Sequence, residues 1–165
     1  MRCERAIAQG KASCWSWREE EFLLLGQKAI WRPQGGELFV ADLHLGKAEV
    51  FQAYGIPIPS DGDRATFERL EALCSAWKPT RLIILVDLIH GPLGLTERLR
   101  ADLQTLDNRL NTEVVLVGGN HDRRLPRSER VQQSSFRLGQ LWLSHEPETP
   151  GDGQPGLNLC GHVHP

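Results

Sequence analysis

The chain has 165 residues, 40% of them hydrophobic, which is enough for one domain with its own buried core. Its 19 basic and 21 acidic side chains leave a formal charge of −2, which excludes holding nucleic acid by bulk electrostatics alone. Any polyanion must be met by a local patch or by bound metal. No stretch approaches the roughly 20 apolar residues that span a membrane, and no signal-peptide run accompanies Arg2, Glu4 and Arg5, so the expectation is a cytoplasmic protein without membrane association.

In chain order, residues 1–20 mix charges with Trp15 and Trp17 without a clear period and read as an irregular lead-in. Short apolar runs follow at 22–25, 29–31 and 38–41, broken by Gly26-Gln27 and Pro33-Gln34-Gly35-Gly36, the pattern of hairpin-linked strands. Phe67, Leu70, Leu73, Cys74 and Trp77 recur at helical spacing after a start signal at Ser60 and Asp61, and Pro79 closes that helix. Residues 82–86 read as a buried strand. Leu99, Leu103, Leu106 and Leu110 mark one face of a second helix, and 114–117 form another buried strand ending at Gly118-Gly119. This β, α, β, α, β order implies parallel strands covered by helices, with a ligand site beyond their carboxyl ends, where Asp42, Asp87 and Asn120 fall. An Arg-rich loop runs to about Gln133, short strands are expected at 136–138 and 141–144, and Gly and Pro dominate from Pro147 to Gly156. No repeat or long linker divides residues 1–165, so the expectation is a single domain. Cys3, Cys14, Cys74 and Cys160 show no CxxC pairing and read as scattered reduced thiols.

The chemistry-bearing pieces are Asp42-Leu43-His44, Asp87-Leu88-Ile89-His90, Gly119-Asn120-His121-Asp122 and Gly161-His162-Val163-His164, with His145 between the last two. In an extended segment residues two apart point the same way, so Asp42 with His44, and His162 with His164, each present two donors to one space. Carboxylate, imidazole and amide without thiolate favour Mn²⁺, Fe or Zn²⁺. The seven ligands Asp42, His44, Asp87, Asn120, His145, His162 and His164 are too many for one transition metal and suit two sharing a carboxylate. A pair about 3.5–4 Å apart suits phosphate-ester hydrolysis. A lone Asp-x-His is more often a satisfied turn pair, and Gly-Asn-His-Asp alone reads as a turn; the joint occurrence of four pieces in order is what points to metal.

These pieces resemble the calcineurin-like metallophosphoesterases from about Phe39 to Pro165. That resemblance implies an α/β/β/α sandwich, here without its last C-terminal strands after Pro165. It implies that Asp42, His44 and His164 hold one metal, that Asn120, His145 and His162 hold the other, and that Asp87 bridges. It further implies that His121 contacts phosphate and protonates the leaving group while Asp122 orients it. A narrower match lies in Ala41-Asp42-Leu43-His44-Leu45-Gly46-Lys47-Ala48, Phe51 and Gly55-Ile56-Pro57-Ile58-Pro59, with Gly119-Asn120-His121-Asp122-Arg123-Arg124 and Ser144-His145-Glu146-Pro147. These resemble the bacterial DNA ligase-associated metallophosphoesterases, which implies a Mn²⁺-dependent phosphodiesterase, with endonuclease action on DNA or RNA, linked in DNA repair to a ligase and a helicase. Where that family has Gly before the bridging Asp, this chain has Val86.

Outside the ligand set, His90 reads as a residue that orients a ligand, contacts substrate or packs, Lys47 as a contact for substrate phosphate, and Arg123 and Arg124, with Arg127 and Arg130, as a substrate contact and polyanion guide. No P-loop is present, and no interleaved aromatics of the base-stacking kind are evident. Three function classes follow: a phosphodiesterase, a phosphomonoesterase or small-nucleotide phosphodiesterase on the same site, and a noncatalytic protein-interaction module on the same fold.

Overall fold

A computed structural model describes residues 2–118, 132–133, 135–148 and 156–162 of a mixed α/β protein. The chain opens with helix α1 (Arg2–Ala8), then strands β1 (Ala12–Trp17), β2 (Glu20–Leu25), β3 (Ala29–Arg32) and β4 (Glu37–Ala41). These four pair antiparallel in sequence order, because only short turns join them, and left-handed Arg18, Lys28 and Gly36 sit in those turns. The short helix α2 (Lys47–Ala53) and the long helix α3 (Gly62–Trp77) then cross over to β5 (Arg81–Leu85). A 3-10 turn (Pro92–Gly94), α4 (Glu97–Gln104) and α5 (Leu106–Leu110) lead to β6 (Glu113–Val117). Strands β4, β5, β6 and the two-residue β7 (Gln132–Gln133) run parallel, which makes a seven-stranded sheet in the order β1 to β7. A second sheet of three strands is ordered β10-β9-β8, with β8 (Ser135–Leu138) antiparallel to β9 (Leu141–Ser144) and β10 (Leu157–Cys160) parallel to it.

Alternation along the central strands sorts the core into two. Leu38, Val40, Leu82, Ile84, Val114 and Leu116 face the helices and pack with Phe67, Leu70 and Leu73 of α3. Phe39, Ile83, Leu85, Val115 and Val117 face the other way and pack on Leu141 and Leu143 of the second sheet. The period of two thus explains why these strands read as continuous apolar runs: both faces are covered. Among the described residues no helix is long and apolar enough to cross a membrane.

Helix α2 and strands β7 and β10 were not read from the sequence, and two further segments differ from that reading. Residues 1–20 contain α1 and the edge strand β1, whose mostly exposed side chains carry no burial period to read. The leucine stripe at 99–110 is buried as expected but lies on two helices. Thr105 interrupts them, with its hydroxyl donating to the carbonyls of Ala101 and Asp102 at 3.3 Å each.

At the amino end of β4 a closed charge network forms. Arg32 donates to Glu20 at 2.8 Å and to Glu37 at 2.9 Å, and Arg81 donates to Glu37 at 2.8 Å, with Glu37 only 1% exposed. The hydrogen bond from Arg32 holds the Glu20 carboxyl below its ordinary value, and Glu20 in return raises the Arg32 guanidinium.

Candidate metal centre

At the other end of the sheet, β4 and β5 finish side by side at Ala41 and Leu85. Their continuations stay paired: Asp42 N donates to Val86 O at 3.3 Å, His44 N to Asp87 O at 2.9 Å, Leu45 N to Leu88 O at 2.9 Å and His90 N to Leu45 O at 2.8 Å. The backbone is not extended there, as i,i+2 presentation from a strand would require. Asp42 (φ 51°), His44 (φ 48°), Val86 (φ 58°) and Asp87 (φ 47°) all take the left-handed conformation, and so does His162 (φ 65°). These are five of the nine left-handed non-glycine residues described, gathered at one place. Such backbone costs on the order of 1–2 kcal/mol per residue and persists where the surroundings impose it. Asp and His enter this region more readily than most residues, whereas for a β-branched valine it is an outlier. Val86 is fully buried and its N–H donates to Val117 O at 3.0 Å, so packing and pairing from both sides hold it there.

The second sheet supplies the other half. Ser144 is buried, and its hydroxyl donates to Glu146 O at 2.7 Å while accepting from Asn158 Nδ2 at 2.7 Å; Asn158 also donates to Trp142 O at 2.9 Å and accepts from Glu148 N at 3.0 Å. One asparagine on β10 therefore fixes the turn that carries His145. Past β10, a Cβ on Gly161 would run into Val86 Cγ2 and lie 2.9 Å from Leu85 O and 3.3 Å from Ala41 Cβ. Only glycine lets the chain pass so near β4 and β5. His162 N then donates to Asp42 Oδ1 at 3.1 Å.

The side chains converge in two groups. Ligand atoms of Asp42, His44 and Asp87 lie within 4.8 Å of one another, and so do those of His145, Glu146 and His162. His162 Nδ1, 4.0 Å from Asp87 Oδ2, joins the groups, and the His145 and His162 rings are 4.7 Å apart between centroids. Asp87 is 2% exposed, and its buried Oδ1, like both ring nitrogens of His145, has no hydrogen-bond partner among the described residues. Buried polar atoms left in this state are costly unless something else meets them. Carboxylate oxygens and imidazole nitrogens crowded at this spacing fit a divalent cation. Burial, and then the Asp42 charge, push the nearby Cys160 thiol above its ordinary value.

Of the expected ligands, the structure thus brings together Asp42, His44, Asp87, His145 and His162, while Asn120 and His164 lie outside the described residues, as do His121, Asp122, Arg123 and Arg124. His90 meets His44 edge-on at 5.3 Å and stacks on Phe51 at 5.7 Å, which places it against one of the candidate ligands. Lys47 is exposed, with Nζ 5.9 Å from the Phe51 ring centroid. The residue that sequence reasoning missed is Glu146. Its Oε1 lies 3.8 Å from His145 Nε2 and 3.9 Å from His162 Nε2, and its signals in the sequence were its adjacency to His145 and its place in the Ser144-His145-Glu146-Pro147 piece.

No protein-family profile matches the chain, and no curated protein does. Among solved structures, the crystal structure of Pseudomonas putida nuclease MPE superposes with a TM-score of 0.74 at 33% identity, over 93% of this chain and 74% of that one. The chain belongs to the family of that nuclease.

Proposed function

We propose that this chain is a metal-dependent phosphodiesterase acting on nucleic-acid diesters, with the calcineurin-like α/β/β/α sandwich as its fold. The observation that carries the reading is the pairing of two ligand groups around Asp87, whose buried Oδ1 has no hydrogen-bond partner among the described residues, in a chain belonging to a nuclease's family. Two divalent ions fit, with Mn²⁺ the first choice and Fe or Zn²⁺ the alternatives. Asp42, His44 and His164 would hold one, Asn120, His145 and His162 the other, and Asp87 both. Bound there, the ions would supply Lewis acidity toward the phosphoryl oxygens and lower the pKa of a bound water.

The chain's own residues do the rest. His162, held by its backbone hydrogen bond to Asp42, fixes the distance between the two ligand groups. His90 limits the swing of His44. Glu146 places a negative charge between the His145 and His162 rings, where it strengthens their hold on a cation. His121 donates the proton to the departing oxygen, and Asp122 orients its ring. Arg123, Arg124 and Lys47 attract the substrate backbone. The association with a DNA ligase and a helicase in repair rests on the motif resemblance.

The test combines metal binding with turnover. Calorimetric titration of Mn²⁺ should give two ions per chain, and hydrolysis of an aryl phosphodiester should exceed that of its monoester. Asp87→Asn should abolish the Mn²⁺-induced rise in melting temperature while changing the metal-free protein little, because Oδ1 has no hydrogen-bond partner among the described residues and Oδ2 has only the 4.0 Å contact with His162. Monoester preference would move the site to a phosphomonoesterase. Absence of both metal binding and turnover would leave a protein-interaction module.

A further inference from the structure

Strand β1 is an edge of the seven-stranded sheet: β2 pairs with one side of it, and among the described residues no strand pairs with the other. Natural edge strands are usually blunted by lysine, proline or a bulge. Between Ala12 and Trp17 there is no charge and no proline, and the six residues face Leu25 to Glu20 in unbroken register, so no bulge interrupts them. Ser13, Cys14, Trp15 and Ser16 are exposed. Helix α1, whose Cys3 and Ala6 pack on the helix-side core, thus leaves the middle of this edge uncovered.

Alternation decides which backbone groups point outward. Gly26 N donates to Lys11 O at 3.0 Å, so Lys11, and with it Ser13, Trp15 and Trp17, turn their N–H and C=O groups toward β2. Cys14 and Ser16 turn theirs to the free side. Trp15 pairs with Phe22, which faces the second sheet, and so shares its face with Leu24 one diagonal position away. Trp15 is 40% exposed and Leu24 42%, an apolar strip that ends at the open edge.

These features are complementary to themselves. Two copies paired antiparallel about a twofold axis must match outward residues with outward residues, which excludes any register centred between two residues. Centring on Ser13 or Cys14 would require buried Ala12 to bond across the axis, and centring on Ser16 would require Arg18, which lies in the turn. Centring on Trp15 sets exposed Cys14 against exposed Ser16. The same register sets Lys11 against Glu19, opposite charges that are both exposed in the single chain.

We propose that two copies of this chain pair edge to edge through β1, antiparallel about Trp15, so that the sheet runs on across the dimer. Cys14 and Ser16 exchange backbone hydrogen bonds on either side of the axis, the two Trp15 rings meet over it, and Leu24 of each copy lengthens the apolar strip. Lys11 of each copy meets Glu19 of the other at the two ends. The dimer stands or falls independently of the reaction proposed for the metal centre.

Sedimentation equilibrium of the full chain should show a dimer at micromolar concentration. Ser16→Pro removes a donor that points away from β2, a change tolerated at a sheet edge, and should weaken the dimer about tenfold or more while leaving the circular dichroism spectrum as in the parent. Lys11→Glu should weaken it about fivefold, and Lys11→Glu combined with Glu19→Lys should restore it. Should Ser16→Pro disturb the fold, this exchange between exposed residues still decides. Ser16→Cys should give a covalent dimer on mild oxidation, because a hydrogen-bonded antiparallel pair sets its Cα atoms about 5.5 Å apart, within disulfide reach of Cys14 in the second copy. Adding Cys14→Ser should abolish that link. A monomeric parent, a charge exchange without rescue, or a covalent dimer indifferent to Cys14→Ser would overturn the proposal.

Discussion

The two ends of β4 place carboxylates in opposite conditions. At the amino end Glu37 is buried and each of its oxygens meets an arginine, while Arg32 also holds Glu20. Just past the carboxyl end, Asp42 and its neighbour Asp87 stand on left-handed backbone, and buried Oδ1 of Asp87 and the His145 nitrogens meet no protein hydrogen-bond donor or acceptor among the described residues. Burial and charge type are similar at the two ends. Satisfaction is what separates them: a network closed by the protein serves the fold, whereas one left open within the protein is arranged for something that arrives from outside.

The comparison breaks most visibly at Glu37. Glu37→Ala leaves Arg32 and Arg81 short of a partner in a buried place and should cost about 3 kcal/mol in urea unfolding. Metal binding per folded molecule should be unchanged. A loss no larger than that of an exposed pair would mean that the amino-end network is ornamental.

Next in size is Gly161→Ala, expected to destabilise by about 1–3 kcal/mol because the new methyl meets Val86 Cγ2 and the Leu85 carbonyl. Adding Val86→Ala should recover part of that loss and not all of it, since Leu85 O stays in the way. The double variant would then be more stable than the two single losses sum to, by about 0.5 kcal/mol or more. Strict additivity would show that Val86 is not the obstacle.

The smallest effect concerns acid. The Glu20 carboxyl is held below its ordinary value of 4.5, so its stabilisation is present above that value and lost as pH falls through the folded one. Glu20→Gln should therefore be less stable than the parent near neutrality, with the gap closing in denaturant midpoints as pH drops below 4.5. A gap independent of pH would mean that packing, not charge, is what Glu20 contributes.

Much of this was legible beforehand where burial imposes a period. The five apolar positions read for α3 are the five it buries, and the runs that became β4, β5 and β6 announce themselves by being covered on both faces. Asp42, His44, Asp87, His145 and His162 were legible because ligand types at strand ends are few. What escaped had no such constraint. Strand β1 lies at an edge with most side chains in solvent, β10 buries each of its four residues only partly, and α2 depends on Gly46 being capped by distant Asp63. Glu146 escaped because a carboxylate beside a histidine is ordinary until the fold brings His162 to it. Val86, which stands where the resembled family has Gly, takes a positive φ that a β-branched residue rarely adopts. The compensation lies 75 residues away, in the empty side of Gly161.

The hydrogen bond from His162 to Asp42 spans 120 positions of chain. Contacts of such separation need a long loop to be closed before they return any energy, so they come late as a protein acquires its shape. With β4, β5 and β6 assembled but the second sheet still loose, Asp42, His44 and Asp87 would stand alone, and the histidines of β9 and β10 would be absent. Asp42, His44, Asp87, His145 and His162 converge only in a molecule whose two sheets have docked. Docking of the second sheet is therefore what completes the cluster.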